Sequence, residues 1–243
     1  MDIIKAIASE LNVRNGQVEA AVKLIDEGCT IPFISRYRKE ATGALNDEQL
    51  RNLDERLRYL RNLEDKKAQV IASIDEQGLL TEELKSRIEQ AETMVAVEDL
   101  YRPYRPKRRT RATIAKEKGL EPLANVMLLQ MTKEPLLKTA EAYVSGEKGV
   151  NTPEEAVAGA MDIIAESISD NADYRTGIRE ITFKEGILSS SAKDAEAKTV
   201  YEMYYNFTEP VAKMAGHRVL AVNRGENEKI LTVKIEAPED RIL

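Results

Sequence analysis

The sequence predicts a mainly α-helical fold: a multi-helix N-terminal scaffold with a helix-turn-helix-like start, one long helix, and a β-hairpin near the C-terminus. Three observations carry this. Apolar residues recur at steps of three and four, the spacing that lines one face of an α-helix. From Asn46 to Gln77 neither glycine nor proline interrupts that spacing. Only near the end, in Arg218 to Val222 and Ile230 to Ile235, do β-rich runs appear, separated by Arg-Gly-Glu-Asn-Glu, the pattern of a hairpin.

The elements follow in order. Ile3, Ile4, Ile7 and Leu11 share one helical face, as do Val18, Ala21, Val22 and Ile25. Asn-Val-Arg-Asn-Gly, residues 12–16, is the break between them. Gly28 ends the second helix, and Pro32 suits the first turn of a third, residues 32–41. A helix-turn-helix invites a DNA-reading interpretation, but the second helix exposes Glu19, Asp26 and Glu27 against Lys23, a face that repels phosphate. The third helix is basic through Arg36, Arg38 and Lys39, which either touch phosphate or pair with the acids that follow.

Asn46 with Gln49 reads as a capping box, opening a helix of about eight turns with Leu50, Leu53, Leu57, Leu60, Leu63, Val70, Ile71 and Ile74 as its apolar stripe. The stripe drifts in spacing, which favours packing within the chain over a coiled coil. Gly78 stops this helix, and Thr81-Glu82-Glu83 starts the next. Short helices follow at residues 122–131 and 135–144. Thr152-Pro153-Glu154-Glu155 gives an N-cap, a first-position proline and first-turn acids, starting a pair of helices that run to about Ser169 and from Asp170 to Glu185. A weaker helix is expected from Asp194. The chain thus divides into an N-terminal helical domain with a basic loop (1–118), a second helical region (119–207) and the hairpin segment (208–243).

Composition excludes much chemistry. With 42% hydrophobic and 32% charged residues the chain is an ordinary, charge-rich globular protein. His217 and Cys29 are each the only residue of their type, so the chain can assemble no internal disulfide, no Cys/His zinc site and no catalytic triad without His217. No two glycines stand as Gly-x-Gly, so phosphate-cradling loops are missing. The expectation is a protein that is not an enzyme and has no cofactor or metal. No apolar run reaches the ~20 residues a bilayer requires, and a lone cysteine suits a cytoplasmic setting.

One stretch departs from the acidic whole, whose net charge is −6. Arg102, Arg105, Lys107, Arg108, Arg109 and Arg111 place six cations in ten residues, with Tyr101 and Tyr104 flanking the first Arg-Pro and no acid among them. Residues 46–98, just before, carry thirteen acids against eight basic residues. The preferred reading is a staple: arginine forks pair with carboxylates and helix C-termini, stiffened by Pro103 and Pro106. The alternative is a direct nucleic-acid contact, with these cations on phosphates, Tyr101 or Tyr104 stacked on a base, and Arg36, Arg38 and Lys39 extending the track.

Three segments carry a family resemblance: TIPFISRYRKEATGALNDEQL (residues 30–50), EDLYRPYRPKRRTRATIAKEKGLEPLA (98–124) and FTEPVAKMAGHRVLAVNRGENE (207–228). They resemble bacterial Tex transcription accessory proteins, relatives of the eukaryotic factor Spt-six. The resemblance implies an N-terminal fragment ending near where the family's RNase-H-like domain begins, ahead of tandem helix-hairpin-helix elements and an RNA-binding domain of the ribosomal S-one type. It implies a non-catalytic scaffold of a factor that binds RNA or DNA mainly through that absent domain, with RNA polymerase or other transcription machinery as the further partner.

Overall fold

The computed structural model describes residues 2–106 and 109–243. Thirteen α-helices and a three-stranded antiparallel sheet are present among the described residues, so the mainly α class stands. The chain forms two compact units, Met1–Pro106 and Lys107–Leu243.

In the first unit α1 (Ile3–Leu11), α2 (Asn15–Asp26) and α3 (Ile31–Tyr37) pack against α4 (Asp47–Asp75), as do α5 (Glu82–Gln90) and α6 (Met94–Tyr101). Asn46 accepts a hydrogen bond from the Gln49 amide at 2.8 Å, and the Gln49 side chain accepts one from the Asn46 amide at 3.0 Å. That reciprocal bonding fixes where α4 begins. Its stripe is buried at Leu50, Leu53, Leu57, Leu60, Leu63, Val70 and Ile74, facing Ile7, Val18, Ile34, Ile88 and Val97 from the surrounding helices. α4 is therefore an internal spine, as its drifting stripe predicts.

The third helix is shorter than expected. It stops at Tyr37, and Arg38 and Lys39 lie in the turn that follows. It ends where the Arg38 backbone leaves the helical region, at φ −129° and ψ 25°, and in the turn beyond it the amide and the buried hydroxyl of Thr42 both bond the Arg38 carbonyl, at 3.1 and 3.3 Å. Gly43 and Ala44 then turn with φ of +60° and +66°.

The second unit opens with α7 (Arg111–Glu117), α8 (Glu121–Leu129) and α9 (Leu136–Ala140), packed on α10 (Pro153–Asp170). Its core is made of small residues, Ala112, Ala115, Ala124, Ala156 and Ala160, with Leu120, Leu123, Val150 and Ile163. α11 (Ala172–Glu185) ends at Gly186 and leads into β1 (Ile187–Ala192), the central strand between β2 (Asn206–Pro210) and β3 (Leu231–Glu236).

Two local expectations are corrected here. Residues 218–222 are not a strand: they belong to α12 (Gly216–Asn227). Val222 and Gly225 are buried while Leu220 is exposed, which is helical spacing, and a short apolar run does not by itself distinguish the two periods. Ile230–Ile235 does supply a strand, but β3 pairs with β1 rather than with 218–222. The helix expected from Asp194 is absent, and the serine-rich run before it is β1. Leu188 and Ser190 alternate inward along β1, and the Ser190 hydroxyl donates to the Tyr204 carbonyl at 2.7 Å, which lets a polar residue occupy a central strand.

Candidate nucleic-acid interface

Cations in the first unit fall into two groups. On α4, Arg51 and Arg58 pair with acids one turn away on the same helix, whereas Arg56, Arg61 and Lys66 are matched to acids on neighbouring helices. Arg56 grips Glu10 of α1 with both nitrogens at 2.6 Å, and Arg61 grips Asp26 of α2 at 2.7 and 2.8 Å. Lys66 lies 2.6 Å from Glu98 of α6. The fork on Asp26 holds its carboxyl below the ordinary carboxylate range, because the charged form accepts both N–H groups. Lys67, buried within the apolar stripe, donates to Glu64 and to the Glu89 carbonyl in the last turn of α5, both at 2.8 Å.

The second group surrounds the end of α3. Arg36, Arg38 and Lys39 are exposed, and none of them forms an ion pair among the described residues. The Arg38 guanidinium lies 5.3 Å from the Phe33 ring centre, and Phe33 and Tyr37 are 5.4 Å apart at an interplanar angle of 43°. Tyr37 is 67% exposed and Phe33 37%. Sequence reasoning found the cations here but not the aromatics, although Phe33 and Tyr37 are an i,i+4 pair beside buried Ile34.

The segment from Tyr101 to Arg111 crosses from one unit into the other. In the first unit the Tyr101 hydroxyl shares a hydrogen bond with Ser73 at 3.0 Å, and its ring faces Lys66 at 5.8 Å. Tyr104 is half-buried, and its carbonyl accepts from Gln77 at 3.1 Å. Tyr101 is thus engaged on α4 through its side chain, and Tyr104 is tied by its backbone to the turn after that helix. The Arg102 amide closes the last turn of α6 on Glu98, and the Arg105 amide bonds the Tyr101 carbonyl. Arg102 and Arg105 are exposed. In the second unit Arg109 lies 3.0 Å from Glu117 and Arg111 3.3 Å from Asp162. Lys107 and Arg108 lie outside the described residues. Both arginine pairs are well exposed, so each contributes only about 0–1 kcal/mol.

Among the described residues no group of three His, Cys, Asp or Glu side chains could hold a metal ion. No described helix is long and apolar enough to cross a membrane.

The sequence that forms the helical spine and the small C-terminal sheet matches one class of protein. A family model described as Tex-like protein N-terminal domain matches residues 1–75, and one described as Tex central region-like matches residues 131–242. The chain belongs to the Tex family of transcription accessory proteins. It is 50% identical over 239 residues to the uncharacterized protein YdcI of Bacillus subtilis (strain 168), covering 97% of this chain and 33% of that protein. It is 42% identical over 245 residues to the transcriptional accessory protein Tex of Neisseria gonorrhoeae, covering 99% and 32%. A human protein named S1 RNA-binding domain-containing protein 1 is 29% identical over 243 residues, covering 96% and 24%. The chain thus spans about a third of the length of the bacterial relatives it matches.

Proposed function

We propose that this chain is a non-catalytic helical scaffold and interaction region of a Tex-like transcription accessory factor. Nucleic acid, RNA or DNA, is held mainly outside the third of the family's length that it spans, and RNA polymerase or other transcription machinery is met on its helical surfaces. The observation that carries this reading is how the polar side chains of the spine are used. Arg56, Arg61 and Lys66 of α4 each bind an acid on a different neighbouring helix, so the charges serve to fix helix positions. Arg109 and Arg111, matched to Glu117 and Asp162, support the same reading of the arginine-rich junction.

A second reading has its own observation. Arg105 is exposed and forms no ion pair among the described residues, as a phosphate contact would. Fluorescence anisotropy with a labelled single strand, beside a melting curve, separates the two. If about five of the six junction cations neutralise phosphates, log affinity falls with log salt at a slope near −3.5, and Arg108→Ala with Arg109→Ala flattens it by about 1–1.5. On the scaffold reading the double substitution leaves affinity and slope unchanged and lowers the melting temperature by about 2 °C or less. Loss of binding on junction neutralisation with an unmoved melting curve overturns the scaffold reading.

A further inference from the structure

We propose that the end of α3 and the turn after it form a site for single-stranded nucleic acid, in which Phe33 and Tyr37 stack on bases and Arg36, Arg38 and Lys39 hold the flanking phosphates. This goes beyond the scaffold reading and uses none of the junction residues, so either can fail without the other.

Exposure is the first argument. α3 buries Ile34 completely, yet it leaves Tyr37 67% and Phe33 37% open to water. Aromatic rings are the largest apolar side chains a fold can bury, and here a core lies one turn away. Their adjacency offers two faces that a base can cover, and every base has such a face.

Charge is the second. Residues 30–45 hold Arg36, Arg38 and Lys39 against a single acid, Glu40, within a chain of net charge −6. On α4, which packs against α3, Arg56 and Arg61 each close on a carboxylate. The three cations at α3 form no such pair among the described residues, and apart from the Arg38 N–H that donates to the Tyr37 carbonyl at 3.4 Å their N–H groups stay available to an outside anion. The Arg38 guanidinium, already set over the Phe33 ring at 5.3 Å, adds a planar cation to the aromatic pair.

Rigidity is the third. The turn bearing Arg38 and Lys39 is closed by the Thr42 hydroxyl and by the Ala44 amide on the Lys39 carbonyl at 2.7 Å. Gln17 of α2 donates to the Gly43 carbonyl at 2.8 Å, tying the turn to the neighbouring helix. Backbone order is therefore in place before any ligand arrives, which lowers the entropic cost of binding. An acidic peptide would use the cations but leaves the aromatic pair without a specific role, and a duplex hides its base faces within its own stack.

The test uses the full chain and a fluorescein-labelled oligothymidine of about fifteen nucleotides, titrated at roughly 50 to 200 mM salt. Three phosphate contacts give a log–log slope of about −2, and Arg36→Ala with Lys39→Ala flattens it by about 1–1.5. Tyr37→Ala weakens binding about 5- to 100-fold, Tyr37→Phe restores it, and Arg105→Ala with Arg109→Ala leaves it unchanged. Should Tyr37→Ala not fold, Arg36→Glu with Lys39→Glu replaces it and is expected to abolish binding. No binding at low salt by a cooperatively melting chain overturns the proposal. So does equal affinity of Tyr37→Ala or of the charge reversal, equal affinity for the duplex, or displacement by polyglutamate as effective as by unlabelled oligothymidine.

Discussion

Asp26 and Lys67 show two ways in which a charged residue holds the first unit together. Asp26 is nearly half exposed, and Arg61 holds it through two hydrogen bonds. Its carboxyl titrates below the ordinary range because of the Arg61 fork. A depressed carboxylate lends stability above its unfolded pKa and loses it as pH falls through the folded one. Asp26→Asn is therefore expected to cost at most about 1 kcal/mol at neutral pH. That cost should vanish on acidification below the ordinary carboxylate range, as urea titrations of both proteins at the two pH values will show. Lys67 is the opposite case, 3% exposed in the middle of the apolar stripe. Its place was legible in part: the step from Leu63 to Val70 skips the position that Lys67 fills. Its ligand was not, because the Glu89 carbonyl belongs to another helix, and only packing brings the end of α5 to it.

At the scale of the element, α4 and α12 differ in how far local pattern governs. The start, length and buried face of α4 follow from a capping box and from apolar spacing, both local. α12 carries a valine-rich run that suits either period, and its glycine reads as a turn. In the fold Gly225 is buried in the last turn of α12, with β3 passing close by. A Cβ there would lie 2.6 Å from Leu231 Cδ1 and 3.2 Å from Tyr201 Cδ1. In an exposed helix Gly→Ala gains about 1 kcal/mol. Here overpacking costs about 1–3 kcal/mol and outweighs that gain. Gly225→Ala should therefore lower the melting temperature, whereas Gly16→Ala in α2, where a Cβ would meet nothing within 4 Å, should not. β1 goes unassigned in the sequence for a related reason: three successive serines lack the β-branched signal, and the strand depends on pairing with β2 on one side and β3 on the other.

For the whole molecule, the boundary at Pro106 falls within the arginine-rich stretch, so what reads as one loop in the sequence is shared by two compact units. The buried apolar residues of 1–106, from Ile7 to Leu100, pack around α4, while those beyond it form the α7–α10 core and the sheet core. Residues 1–106 expressed alone should accordingly give a helical circular dichroism spectrum and a single cooperative melt. A non-cooperative melt would show that the first unit needs the second.

The sequence by itself determined the helical class, the spine of α4 with its cap, the unusual charge of residues 102–111, and the three segments that resemble the Tex family. All of these rest on composition or on spacing within one element. Only the tertiary structure decided which arginines meet a carboxylate, that the Tyr101 side chain is engaged on α4, that Phe33 and Tyr37 stand exposed beside unmatched cations, and that a serine run is the central strand. The reason is physical. A helix or its cap is fixed by residues three or four apart, whereas ion pairs, exposure and strand pairing depend on residues tens of positions away, and no local spacing records them.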